Sequence, residues 1–172
     1  MSTTLIFQLH LALGYAAWGL FFAAFGWRWL RAMEPVRAQQ AIATLHSFRF
    51  FGLVFVLPGV VGPYLPVNFA TFAAYGDFAT GVLAMLALAA VRIRPLFRAL
   101  VIAYTLVGVA DFLGDYYLAI QGGLPEIAGQ MGATYVIPVI YVPLLMITHI
   151  AALRLMFGAG RRNVRQIGAA PV

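Results

Sequence analysis

Cysteine and lysine are both absent from this chain, and charge of either sign is scarce, at 9% of 172 residues. Without cysteine there are no disulfides, no thiolate metal sites and no covalently attached c-type haem, so any metal or cofactor has to be held by histidine, carboxylate or backbone. A soluble domain carries about 25% charged residues. At 9%, with 63% hydrophobic residues and a mean hydropathy of +0.92, the usual hydrated surface cannot be assembled and the chain must face lipid. The 11 basic residues are all arginine, which together with abundant alanine suggests a GC-rich bacterial genome. They are spread between apolar runs rather than gathered on one face, which excludes a nucleic-acid binder despite the net charge of +6. No phosphate loop, nucleophile elbow or zincin helix is present, and no internal repeat of the kind inverted-repeat transporters show.

The apolar runs predict an all-α fold: an integral membrane bundle of five transmembrane helices in a single domain over residues 1–157. The helices are expected at about 5–26, 35–62, 70–91, 99–118 and 134–153, each near the roughly 20 residues that a bilayer core requires. Leu5 to Gly26 is longer than a signal-peptide core, has no positive residue before it and is followed by Arg28 and Arg31, so it reads as a retained helix. Trp27 and Trp29 read as interfacial anchors beside it. Glu34-Pro35 restarts a helix, with proline in its first turn. The stretch Gln121 to Ala133, with Gly122, Gly123, Pro125 and Gly129, reads as an exposed outer loop. With five crossings the arginines fall near one face, and the positive-inside rule then puts the N-terminus outside and the C-terminus in the cytoplasm. Residues 158–172 are expected to form a disordered basic cytoplasmic tail, and the setting to be a bacterial inner membrane. Small residues such as Gly19, Gly81 and Gly108 read as helix-packing positions, and Pro138 and Pro143 as kinks in the last helix.

Helix length decides which polar groups enter the hydrocarbon. The segment between Arg49 and the Gly62-Pro63 break gives only about 20 Å of α-helix against a core of roughly 30 Å, so Arg49 and His46 lie at or inside the inner boundary. They sit three apart on one face. The same measure brings Asp77 into the outer hydrocarbon and puts Asp111 near the midplane, with Asp115 one turn farther out. An intramembrane aspartate costs about 2.5–3.5 kcal/mol on insertion scales, so each needs a proton or a partner. His10, at the outer depth, is one candidate partner. His149 approaches the depth of His46, and Tyr141, Leu145, Thr148 and His149 share a broad face of the last helix.

These groups define the candidate site. Asp111, Asp115 and Asp77 are the proton-handling candidates, and His46 and His149 are candidate axial ligands of a haem b iron, with Arg49 on a propionate. His10 is a weaker metal ligand, alone or with the aspartates. The leading expectation is a polar intramembrane site for a small hydrophobic ligand or cofactor. The alternatives are a proton or cation relay through the aspartates and histidines, a small lipid-modifying enzyme with a carboxylate and histidine sharing a proton, and an interaction protein without a site.

The stretches HSFRFFGLVFVLPGVVGPYLPVNFATFAAYGD (46–77), ADFLGDYYLAI and IPVIYVPLLMITHIAAL resemble small uncharacterised bacterial inner-membrane proteins, over most of the chain; that resemblance implies a polytopic fold and no activity. The proline-bearing aromatic last helix and the acidic intramembrane site bear a fainter likeness to the sterol-isomerase and sigma-2-receptor group. The carboxylate pattern and four-helix count of that group are not matched, and no residue role is carried over from it.

Overall fold

The computed structural model describes residues 1–167, with side chains through Phe157; residues 168–172 of the expected tail lie outside the described residues. Its elements are helical, with no strand among the described residues. Helix α1 (Thr3–Phe21) begins at Ser2, whose side chain accepts a hydrogen bond from the Leu5 amide at 3.2 Å. It passes through a π turn, Phe22–Gly26, into α2 (Trp27–Ala32). Glu34 accepts from the Arg37 amide at 3.2 Å, and Pro35 sits where its missing N–H costs nothing, so α3 (Pro35–Ser47) starts where the sequence signals it. The 3-10 segment Phe48–Val56 follows, then α4 (Val67–Ala89) and α5 (Arg94–Gln121). A second 3-10 segment, Ala128–Tyr135, and a π turn, Ile137–Tyr141, lead into α6 (Val142–Ile167), which continues into the expected tail.

Four helices among the described residues are long and apolar enough to cross a membrane: Thr3–Ala32, Val67–Ala89, Arg94–Gln121 and Ile137–Phe157. The expected helix over 35–62 is not continuous. Its first part, α3, is amphipathic and ends at Ser47, and the apolar remainder winds as a 3-10 helix to Val56 before a series of turns. A 3-10 helix repeats every three residues, so i and i+3 eclipse. His46, Arg49, Gly52 and Phe55 therefore line up on one edge, and all four are buried. An α-helix would rotate each of them about 60° from the last. The stretched winding also lengthens the segment: α3 at 1.5 Å and the 3-10 turns at 2.0 Å per residue give about 38 Å. This segment runs from one end of the bundle to the other. At its start Glu34 meets Arg94 at 3.7 Å, and beyond its end the Gly62 amide donates to the Gln130 carbonyl at 2.7 Å.

Helix α4 occupies the centre, packed between α5 and the 3-10 segment with α3 beside it. Ala73, Ala74, Ala84 and Ala87 on α4 are buried, and these small side chains bring the neighbouring backbones close. Helix α1 lies outside this core. Phe7 is its one buried side chain, and Leu5, Leu9, Leu13, Leu20 and Phe21 are exposed, as lipid-facing residues are. It leans on the π turn that leads into α6, where Trp18 Nε1 donates to the Ile140 carbonyl at 2.9 Å. The linker after α5, expected as an exposed loop, instead folds inward: Leu124, Ala128 and Met131 are buried, with Gly123 and Gly132 at positive φ making the turns.

Candidate functional site

The inward edge of the 3-10 segment carries one arginine, and three helices converge on it. Arg49 is fully buried. Its Nε donates to Asp77 Oδ1 on α4 at 2.6 Å, and its Nη2 donates to Asp111 Oδ2 on α5 at 2.5 Å. Its Nη1 faces His149 Nε2 on α6 at 3.3 Å, and its Cζ stands 4.0 Å from the centre of the Phe112 ring. A guanidinium has no acceptor, so His149 Nε2 accepts this bond and the ring proton belongs on Nδ1. Both aspartates are buried to 4–5% exposure, and they share the same counter-ion.

Glycines make the room. A Cβ on Gly52 would run into the Asp77 carboxylate, one on Gly76 into the Asp111 carboxylate, and one on Gly108 into His149 Nε2 and Arg49 Nη1. One on Gly81 would meet the backbone at Phe50, 2.8 Å from its amide nitrogen. The charged cluster thus sits where three elements each lack a side chain facing it, a close approach that no other residue permits.

A second layer lies against His149. The His46 ring is 4.0 Å from it, centre to centre, at an interplanar angle of 37°, and Tyr104 lies 5.4 Å from His46 and 6.0 Å from His149. His46 Nε2 is 3.0 Å from Thr148 Oγ1. That hydroxyl donates to the Leu144 or Leu145 carbonyl, so His46 Nε2 is the donor to it. The arrangement does not fit a haem between these histidines. An axial pair faces across the iron with about 2.0 Å to each nitrogen and a macrocycle between the rings, whereas these rings touch and both Nε2 atoms already face protein partners. Arg49, expected on a propionate, is engaged by Asp77 and Asp111.

On the other side of Arg49, Asp115 lies one turn beyond Asp111 on α5, and its Oδ1 is buried without a partner. Asp115 and Asp77 line a cavity of ≈ 200 Å³, whose other walls include Phe7, Phe55, Phe69, Phe112 and Ile137. Leu124 and Pro125 of the inturned linker also line it. His10 does not join the carboxylates: it bonds through Nδ1 to the Tyr135 hydroxyl at 2.9 Å in an exposed position. Among the described residues no three His, Asp or Glu side chains converge as a metal site.

The residues picked from sequence thus sort clearly. Arg49, Asp77, Asp111 and His149 form one cluster, His46 stacks on it, Asp115 borders it at the cavity, and His10 stands apart. Sequence reasoning missed Gly52, Gly76 and Phe112. The spacing of three in His46, Arg49, Gly52 and Phe55 was the signal for the first of these.

The chain belongs to the family described as a domain of unknown function (DUF8737), whose model matches residues 6–157 and so takes in every residue of the cluster and the cavity. No match was found among curated proteins or solved structures.

Proposed function

We propose that this protein binds a small hydrophobic ligand inside the membrane, in the cavity bordered by Asp77 and Asp115. The observation that carries the reading is the conjunction of an apolar chamber of ≈ 200 Å³ with two carboxyl groups in its lining, one of them bonded to the Arg49 cluster beside it. Binding sites are mostly apolar concavities with a few placed polar groups, and an engineered apolar cavity of about 150 Å³ already accepts benzene. The site lies in a bundle crossed five times, with the Pro35–Val56 segment as the second crossing. The N-terminus is outside and the arginine-rich ends of the helices face the cytoplasm of a bacterium. Support for the fifth crossing comes from the contacts at both ends of that segment, Glu34 with Arg94 and Gly62 with Gln130. Support for the orientation comes from the positions of Arg28, Arg31, Arg37, Arg92, Arg94, Arg98 and Arg154 beyond or near helix ends of one face.

The order Asp115, Asp111, Arg49, His149, His46 along the interior also favours a second reading, a proton relay. Arg49 counts against it. A fixed positive charge in the middle of such a row is a barrier to protons and cations, as arginines in selective pores are. Binding is therefore the preferred reading, with Asp115 the group that meets the ligand.

Filling the chamber tests it. Ala73 is a buried wall residue on α4, and Ala73→Phe puts a ring into the space. Wild-type protein in nanodiscs should release a small apolar molecule in native mass spectrometry, and Ala73→Phe should retain the fold by circular dichroism and lose that molecule. Equal occupancy in both proteins refutes the cavity as the site.

A further inference from the structure

The cavity reading leaves open which apolar molecules fit, and the charges around it narrow the choice. Of three carboxylates on α4 and α5, Asp77 and Asp111 bond to a single arginine, and Asp115 lies one turn beyond Asp111. Arg49 directs Nε to Asp77 and Nη2 to Asp111, and its remaining Nη1 points away from the cavity, toward His149. Nothing basic lines the cavity. Asp115 Oδ1 is left buried without a donor, as is Asp111 Oδ1 one turn before it. The chamber thus presents a carboxyl group with an unpaired acceptor oxygen among hydrocarbon walls.

An inorganic cation does not suit such a chamber. Sodium, magnesium or calcium need about six oxygen ligands in place of their water, and beyond the two carboxylates the lining offers only Gln8 and the Tyr116 hydroxyl among its side chains. A carboxylic acid or phosphate would bring a second negative charge to the first. A primary ammonium on an apolar body satisfies both halves: its N–H groups donate to Asp115 Oδ1 and its charge pairs with that carboxylate, while the body meets Phe7, Phe55, Phe69 and Ile137.

The route to the chamber points the same way. Gln8 and Ile120 line the cavity and are also exposed on the outer surface of α1 and α5, Ile120 at 71%. Helices α1 and α5 barely touch, and the hydrogen bond between the Tyr15 and Tyr116 hydroxyls, 2.7 Å, ties them together. The chamber therefore opens sideways toward lipid, where amphiphiles with a cationic head and an alkyl or aryl tail accumulate.

From this geometry we infer that the cavity selects monocationic amphiphilic amines taken from the bilayer, with Asp115 receiving the ammonium. The inference rests on the ligand-binding reading above and adds the charge of the ligand to it. The test uses three probes of one length, octylamine, octan-1-ol and octanoate, against the full chain in nanodiscs at pH 7, where an alkylamine near pKa 10 is cationic. Octylamine should bind saturably and at least tenfold more tightly than octan-1-ol, with no saturable octanoate binding. Asp115→Asn should weaken octylamine at least tenfold and octan-1-ol far less, and the octan-1-ol binding that remains reports that the chamber is intact. If octan-1-ol binds the wild type as tightly as octylamine, or Asp115→Asn leaves the amine unaffected, the cationic selectivity is overturned and the apolar cavity stands. If none of the three binds saturably, the cavity reading itself falls. The wild-type comparison of amine with alcohol decides the matter even if the variant does not fold.

Discussion

Replacing Arg49 by methionine should be among the most damaging single changes available to this fold. Methionine keeps much of the volume and removes the charge. Two charge-assisted hydrogen bonds, to Asp77 and Asp111, are lost; at about 1.5–3 kcal/mol each they sum to about 3–6 kcal/mol. That agrees with the roughly 3–5 kcal/mol observed when one partner of a buried ion pair is removed, because the carboxylates left behind have no counter-ion. The stacking of the guanidinium on Phe112, at 4.0 Å, adds about 0.5–2 kcal/mol. We therefore expect Arg49→Met to cost about 4 kcal/mol, a large share of the roughly 5–15 kcal/mol that holds a domain together. The same reasoning demands rescue. Adding Asp77→Asn and Asp111→Asn removes the orphaned charges, so the triple variant should be at least about 2 kcal/mol more stable than Arg49→Met alone. Reversible unfolding in mixed micelles by SDS titration, followed by far-ultraviolet circular dichroism, reads both differences. A cost under about 1 kcal/mol for Arg49→Met, or a triple variant no better than the single one, would refute the counter-ion role.

Gly108→Ala places a methyl against His149 and Arg49 and should cost about 1–3 kcal/mol in the same titration. Gly19→Ala, whose methyl meets nothing within 4 Å, should be neutral or stabilising by up to about 1 kcal/mol; equal effects at the two sites would remove the close-approach argument. The absence of native cysteine makes topology directly measurable. Cysteines at Asn68 and Glu126 should react with a membrane-impermeant maleimide on intact cells, and cysteines at Arg37 and Arg98 only after permeabilisation; labelling of Arg37→Cys and Asn68→Cys from the same side contradicts a crossing by Pro35–Val56. Because the His46 and His149 rings touch, the purified protein should show no Soret band that depends on them; a band lost in His46→Ala and His149→Ala would reinstate the haem.

Helix length alone made the buried chemistry legible. Residue counts along a helix from Asp77 to Arg92 and from Asp111 to Arg98 single out those carboxylates as groups drawn inward, and both are buried in the bundle. The partner was misjudged for a reason that lies in helix pitch. Depth measured back from Gly62 in α-helical steps leaves Arg49 at the inner boundary, free to reach headgroups. Measured forward from Pro35, it lies about 20 Å along α3 and its continuation, near the middle of the bundle. The change to 3-10 winding after Ser47 reconciles the two, and hydrophobicity alone gives no sign of it, since Phe48–Val56 is apolar apart from Arg49 under either pitch. The inturned linker was hidden in a similar way. Gly122, Gly123, Pro125 and Gly129 mark turns, and turns are usually exposed, but Leu124 and Met131 between and beyond them are the residues that face the cavity and core.

The cluster also says something about why the site exists. A buried arginine with two aspartates does not recommend itself on stability alone, since replacing such groups together by apolar residues of similar volume is often neutral or stabilising by about 1–4 kcal/mol. Here the arrangement further requires glycine at 52, 76 and 108, each of which weakens its own helix. What the cluster does achieve is an asymmetry. Its histidine side is neutral at the contact, because Arg49 donates to His149 Nε2, whereas the side toward the cavity sets three carboxyl groups against one arginine and leaves Asp115 Oδ1 unpaired. A bundle that only needed to be rigid would have no use for that imbalance. A bundle that must draw a charged head out of the lipid interface and hold its tail in hydrocarbon would need the imbalance where Asp115 puts it, and would need Arg49 behind it to keep the charge from continuing through.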